Sequence, residues 1–506
     1  MKFSVLVMVA LAQGFDPAKV DWEKLAKIPM QDTFIRQYKE QCGACHGEDL
    51  RGTPLGKPLV GVDLVHGAGV KEIAASIARG FPDKGMPAWS GTLSESQIWN
   101  LALYVAEQRQ GTTILDKRNK LAIELPAGRV RTERANFRVE TVAAGLDPMP
   151  FAIAPLADGR ILLSERMRGL SVIGRDGSRT LIRGTPAVYA DSTEFLGQVM
   201  GLGWLLDVAP HPDYASNGWI YLMHTDRCSA CNAASRKSNR PVSMNRLVRG
   251  RIRDGEWIDE QVLWKADIET YTDTSDLAAG GRIAFDGRGH VFFSVGVKAA
   301  LDVMGVQDPD LPYGKIHRIA DDGSIPADNP FVNTAGVLPS IWTLGHRSVQ
   351  GLEWNRRTRE AWSTEMGPRG GDELNRLRPG GNYGWPVFTN GVNYDGRPIN
   401  VAKSLGLKLE AEDAIFPVLD FTPAQAMSSF IFYEGRMFPQ WQGDILLGTL
   451  RATDLLRLKI RNGAVVHQEV LFRDLARFRD IEVGPRGEVL ILLENAAGSK
   501  IIRLRR

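Results

Sequence analysis

The chain has 506 residues, too many for one ordinary core at roughly 150 residues per domain, so two or more domains are expected. Hydrophobic residues at 43% and charged residues at 24% are those of an ordinary globular protein, and 52 glycines with 27 prolines favour a turn-rich, β-dominated fold. The formal charge of +3 is dispersed without a basic run, which excludes the concentrated footprint of a nucleic-acid binder.

Lys2 precedes an apolar run ending in Ala10, Leu11 and Ala12, the order of a secretory signal, so residues 1–12 are read as a signal peptide and the protein as periplasmic or secreted. An uncleaved anchor is the alternative reading. No later stretch approaches the ~20 apolar residues of a membrane span.

The sequence CGACH at 42–46 sets two thiols three positions apart, able to add to two haem vinyl groups, with an imidazole next to ligate iron. Cys42 and Cys45 are therefore expected to attach haem c, and His46 to be an axial ligand. Residues 32–41 before them have the character of a short amphipathic helix. Met86, in the rigid Gly85-Met86-Pro87 turn, is expected as the second axial ligand, with His66 as the competing residue on a glycine-flanked loop. A helix over 94–108, with Ile98, Leu101, Ala102 and Val105 on one face, completes a small all-α cytochrome c domain over 30–110. Such a Met/His haem suits one-electron transfer, with a downstream acceptor such as another cytochrome.

Residues 111–135 read as a linker. From Phe137 the pattern becomes period two, and a unit of apolar strand, Pro/Asp/Gly turn and second strand recurs, beginning near Phe151, Leu206, Ile283, Leu352, Phe430 and Ile481. Six such units predict an all-β six-bladed propeller over 136–506, with a large β-sandwich as the alternative. The last strand, at 500–504, is expected to pair with the first near Phe137 and close the ring. Loops between the units carry Arg347, Arg451, Arg477 and Arg479, and alternation puts Arg477 and Arg479 on one side of the backbone with Phe478 on the other. Converging guanidinium forks suit a polycarboxylate; scattered surface ion pairs are the plainer reading.

The stretches LLDVAPHPDY (205–214), NGWIY (217–221), GGRI (280–283), GPRGGDELN (367–375) and GNYGWP (381–386) resemble, in order, the soluble quinoprotein glucose and aldose sugar dehydrogenases, which use pyrroloquinoline quinone (PQQ). The resemblance covers essentially all of 136–506. It implies a six-bladed propeller with PQQ at the channel mouth, its carboxylates held at Arg347, Arg451, Arg477 and Arg479, although position 451 is more often lysine in that family. It also implies calcium on the backbone carbonyls of Gly367 and Pro368, hard oxygen donors suited to that ion. Glu373 and Tyr383 match positions tied to a further calcium in some relatives.

The family's general base, a histidine two residues before Gly-Gly-Arg, is here Ala278, and no histidine occurs between His224 and His290. A positioned base contributes about 10² to 10⁴-fold, so Asp273 and Asp276 become the candidate replacements. His224 and His346 are further possibilities for which structural roles are favoured. Cys228 and Cys231, in a polar insertion, are expected to form a loop disulfide rather than a zinc site, since no second ligand pair matches.

The expectation is thus a quinohaemoprotein that oxidises a small-molecule substrate (a sugar, alcohol or aldehyde) and passes electrons to its own haem. The alternative is a propeller without dehydrogenase activity that serves as a binding or docking module for the cytochrome.

Overall fold

The computed structural model describes residues 32–111, 122–195, 198–298, 305–394, 396–399 and 406–506. The expected signal peptide and the stretch 112–121 of the expected linker lie outside these residues.

The N-terminal domain is helical. Helix α1 (Asp32–Tyr38) runs on through a π turn (Lys39–Gly43) into the short turn Ala44–His46 that carries the haem motif. Helix α2 (Val70–Arg79) packs against α3 (Glu95–Gln110). A capping box fixes where α3 starts: Gln97 N donates to Ser94 Oγ at 3.3 Å and Ser94 N donates to Gln97 Oε1 at 2.9 Å. Gly111, at φ +69°, ends it in the left-handed conformation. Phe34, Tyr38, Ile73, Ile77, Ile98, Leu101 and Val105 form the domain's core. Helix α2 was not anticipated, although Val70, Ile73 and Ile77 give it one apolar face.

The rest is a six-bladed propeller. In chain order the strands are β1 (Val130–Arg131) and β2 (Asn136–Leu146), then the first blade β3 (Pro150–Pro155), β4 (Ile161–Glu165), β5 (Gly169–Ile173) and β6 (Arg179–Leu181). A hairpin, β7 (Thr193–Phe195) and β8 (Gln198–Met200), precedes the second blade: β9 (Leu205–Pro210), β10 (Ile220–Cys228), β11 (Val242–Arg253) and β12 (Glu256–Lys265). The third blade is β13 (Gly280–Phe285), β14 (His290–Val295), β15 (Lys315–Ala320) and β16 (Ile341–Leu344). The fourth is β17 (Val349–Asn355), β18 (Glu360–Glu365), β19 (Asp372–Arg376) and β20 (Leu419–Phe421). The fifth is β21 (Met427–Phe432), β22 (Ile445–Thr449), β23 (Leu455–Arg461) and β24 (Ala464–Phe472), and the sixth contains β25 (Arg477–Val483), β26 (Val489–Glu494) and β27 (Ser499–Arg505).

The innermost strands β3, β9, β13, β17, β21 and β25 touch one another in turn, and β25 returns to β3. Neighbouring blades cover both of their faces, which is why they are buried almost throughout and read as apolar runs, while the outer strand β24 is largely exposed. Each contains the start of a repeat found in the sequence.

The ring closes by strand pairing. Strand β27 lies between β26 and β2, with Val139 opposite Leu504 and Thr141 opposite Ile502, so residues from the two ends of the propeller share one sheet. Within the span read as a linker, β1 pairs with β2, and Ile123, Leu125 and Val130 pack against the core between the fifth and sixth blades. Ile502 is fully buried within the closing strand. Its replacement by alanine should lower stability by about 2–5 kcal/mol, read as a lower urea midpoint with an unchanged slope.

Candidate functional site

Antiparallel pairing puts the start of each inner strand beside the end of the second strand. Val349 lies opposite Glu365, Arg477 opposite Glu494, Gly280 opposite Val295 and Met427 opposite Thr449. The segments holding Arg347, Gly367, Arg451, Arg477, Asp276 and Arg166 therefore share one rim of the propeller. Arg477 and Arg479 point the same way, as alternation predicts, and both reach Glu494: Arg477 Nε is 2.7 Å from Oε1 and Arg479 Nε 2.7 Å from Oε2. Phe478 between them enters the apolar core.

A third guanidinium, Arg166, follows β4 and was not singled out in the sequence. It is 3% exposed, stacks on Phe151 and Trp204 at 5.2 and 5.4 Å, and its side chain makes no hydrogen bond among the described residues. Burial, reinforced by the charges of Arg479 and Arg477, brings it down to about 9. Burial pushes Glu494 up, but Arg479, Arg477 and Arg166 together outweigh this and hold it at about 2. Glu494 thus faces three buried guanidiniums, an arrangement that suits an anion. A signal for the partner was present: Glu165, Glu365 and Glu494 each end the second strand of a blade.

Arg451 and Arg347 extend this cluster around the rim. Arg477 Nη1 donates to the carbonyl of Leu450 at 3.2 Å, and Arg451 Nη2 lies 3.4 Å from Glu107 of the helical domain. Arg347 Nη1 donates to the carbonyls of Met366 and Gly367 at 2.8 and 2.9 Å. The Gly367 carbonyl expected for calcium therefore already faces a cation. Its loop is pinned by Asp372, whose Oδ1 accepts from Gly367 N while Oδ2 accepts from Gln425 and Ala426 N.

The second-calcium residues fall in one buried network with their donors engaged. Tyr383 Oη donates to the Arg376 carbonyl at 2.6 Å and accepts from Arg378 N, and Asn375 Nδ2 bridges Glu373 and Glu365. Burial, with the neighbouring Glu365 charge, pushes Glu373 well above the usual carboxylate range. No group of three or more Asp, Glu, His or Cys poised for a metal occurs among the described residues.

Near Ala278, the two candidate bases differ. Asp276 is 2% exposed and fully engaged: Thr225 Oγ1 and Gly203 N donate to Oδ2 at 2.6 Å, Ser243 Oγ donates to Oδ1 at 2.7 Å, and Lys298 Nζ lies 2.9 Å from Oδ1. It holds the rim together and has no lone pair directed at solvent. Asp273 is half-buried and makes no side-chain hydrogen bond among the described residues. His346 is buried between Thr343 and Glu365, and His224, inside the second blade, is brought down to about 4 by burial.

In the helical domain, Cys42 and Cys45 are free and half-buried. His46 Nδ1 lies 2.7 Å from the Lys57 carbonyl, which fixes the ring and leaves Nε2 available, the arrangement an iron ligand needs. Met86 is half-buried against the domain's core, its backbone paired with Phe81, and His66 stacks on Phe81 at 4.6 Å. Cys228 and Cys231 are joined as a disulfide.

A cysteine pair with an oriented histidine on a small helical domain, beside a propeller with a cationic rim, defines a fused cytochrome c–propeller oxidoreductase. Residues 147–503 match the Glucose / Sorbosone dehydrogenase family, and the chain belongs to it; residues 32–105 match the cbb3-type cytochrome c oxidase subunit III family. The chain is 31% identical over 370 residues to aldose sugar dehydrogenase YliI of Escherichia coli, covering 72% of this chain and 92% of that one. The crystal structure of the apo soluble aldose sugar dehydrogenase from Escherichia coli superposes with a TM-score of 0.63 at 30% identity, over 73% of this chain and 99% of that one. Quinoprotein glucose dehydrogenase B of Acinetobacter calcoaceticus is 24% identical over 451 residues, 74% of this chain and 88% of that one.

Replacing Glu494 with glutamine should remove the carboxylate that Arg477 and Arg479 share, and cost about 3–5 kcal/mol at pH 7. Because its carboxyl is depressed, this stability is present above about pH 4.5 and is lost as pH falls towards 2. Urea midpoints of wild type and variant, measured across that range, should converge on acidification.

Proposed function

We propose that the chain is a quinohaemoprotein aldose dehydrogenase, with PQQ held at the cationic rim, where it would serve as electron acceptor for a sugar, and haem c held by Cys42, Cys45 and His46, where it would supply a one-electron acceptor. The observation that carries this reading is Arg166, a buried guanidinium without a hydrogen-bond partner among the described residues, beside two others that share one carboxylate. A small polycarboxylate supplies what that cluster lacks. When bound, the quinone supplies a two-electron acceptor on which the oxidation of a hydroxyl can proceed.

In this reading Arg166, Arg477 and Arg479 hold the cofactor's carboxylates, and Arg347 and Arg451 flank them. Gly367 and Pro368 offer carbonyl oxygens to calcium, with Arg347 moving off the Gly367 carbonyl to admit it. Asp273 takes the proton from the sugar hydroxyl; Asp276 keeps the rim in place and is not the base. The covalent haem motif and the Cys228–Cys231 disulfide suit a periplasmic or secreted protein, with a further cytochrome as downstream acceptor.

Apoprotein reconstituted with PQQ and calcium should oxidise aldoses with an artificial dye as acceptor. Arg166→Ala, which breaks no hydrogen bond among the described residues, should weaken PQQ binding by about tenfold to a hundredfold in calorimetry with little loss of stability. Asp273→Asn should lower kcat by about 10² or more at unchanged PQQ affinity. Absence of PQQ binding to wild type would instead favour the reading of the propeller as a docking module, which the alanine at 278 motivates.

A further inference from the structure

The helical domain is seated on the functional rim through a buried ion pair. Glu107, on the last turn of α3, receives Arg369 in a two-pronged contact, Nε to Oε1 at 2.9 Å and Nη2 to Oε2 at 2.5 Å, with both side chains 3% exposed. Arg369 immediately follows the Gly367-Pro368 pair. Its guanidinium lies 3.4 Å from the centre of the Phe34 ring on α1, the helix that continues into the haem motif. Phe34 precedes Cys42 by eight residues, about 12 Å of helix.

Around this pair the surfaces are fitted. Asn100, one heptad before Glu107 and so on nearly the same face of α3, donates through Nδ2 to the Gly396 carbonyl at 2.7 Å. A Cβ at Gly396 would stand 2.5 Å from Phe34 Cζ, so only glycine admits the ring there. Val392 of the propeller belongs to the helical domain's apolar core. The same Glu107 carboxylate lies 3.4 Å from Arg451 on the cationic rim.

We infer that Glu107 is the positioning residue that couples the haem domain to the cationic rim: by clamping Arg369 and sharing Arg451, it holds the haem-bearing helix against the rim in one orientation, and electron transfer from rim to haem depends on that clamp. An ion pair suits this task better than an apolar contact, because its bidentate geometry fixes rotation as well as distance. Loss of the charge leaves Arg369 buried without its counter-ion, so the surfaces part rather than re-pack.

The inference rests on the quinohaemoprotein reading for its electron-transfer half, and its test separates the two. In Glu107→Gln, full-length and haem-loaded but without PQQ, hydrogen exchange in 388–398 and in the last turn of α3 should rise at least tenfold. After loading with PQQ and calcium, the ratio of haem reduction rate to dye-coupled aldose turnover should fall at least tenfold, and Glu107→Asp should recover part of that ratio. Unchanged exchange overturns the clamp, and an unchanged ratio overturns its role in electron transfer. If wild type shows no PQQ-dependent turnover, the functional reading fails while the exchange measurement still judges the clamp. Should Glu107→Gln not fold, Glu107→Asp, one methylene short of Arg369, is read by the same two measurements.

Discussion

One buried guanidinium, Arg282, ties the inner strands of the propeller to one another. It leaves β13 and pairs with Asp480 of β25 at 2.9 Å and with Asp207 of β9 at 3.6 Å. Its Nε donates to the Gln350 carbonyl of β17 at 2.7 Å, and it lies over Phe151 of β3. Asp480 in turn accepts from Ile153 N of β3, and Asp207 from Ile283 N of β13. Five of the six inner strands are thus registered through one charge network at the channel. The network works only if every member is satisfied, since a charge taken from water without partners costs several kcal/mol.

The functional rim inherits its geometry from this hub. Arg282 Nη2 also donates to the Arg479 carbonyl at 3.3 Å, so the backbone that aims Arg479 at Glu494 is itself fixed from across the channel. The positive excess there follows from placement rather than from total charge, which is only +3 over the chain. Burial first, and then the charges of Arg479 and Arg477, hold Arg166 below the ordinary guanidinium range, since like charges repel more strongly in a site of low dielectric. Sites with such perturbed groups are where ligands of opposite charge bind.

Much of this was legible in the sequence. The six recurring apolar stretches are the inner strands, because burial on both faces leaves a continuous signal, and the alternation Arg477, Phe478, Arg479 gave the side chains their directions. The haem motif was local and so readable outright. What escaped was pairing over distance: Arg166 and Glu494 are separated by more than 300 positions, and Glu107 meets Arg369 across a domain boundary. Asp276 shows the converse failure. Its closeness in sequence to Ala278 made it a candidate base, yet folding spends both its oxygens on Thr225, Gly203, Ser243 and Lys298. Likewise residues 122–135 looked irregular because their order comes from packing on the sixth blade, not from their own pattern.

The helical domain sits on the same rim as the arginine cluster, so under the proposed function one chain would carry electrons from a sugar hydroxyl to a one-electron carrier. The most direct measurement is stopped-flow absorbance of the haem after protein loaded with PQQ and calcium is mixed with a panel of aldoses. The account predicts haem reduction that requires PQQ, saturates with sugar and is lost in Arg166→Ala at limiting PQQ. Bound PQQ with a haem that stays oxidised against every aldose, while dye is reduced, would contradict the path; failure to reduce either acceptor would contradict the assignment of the rim as the quinone site.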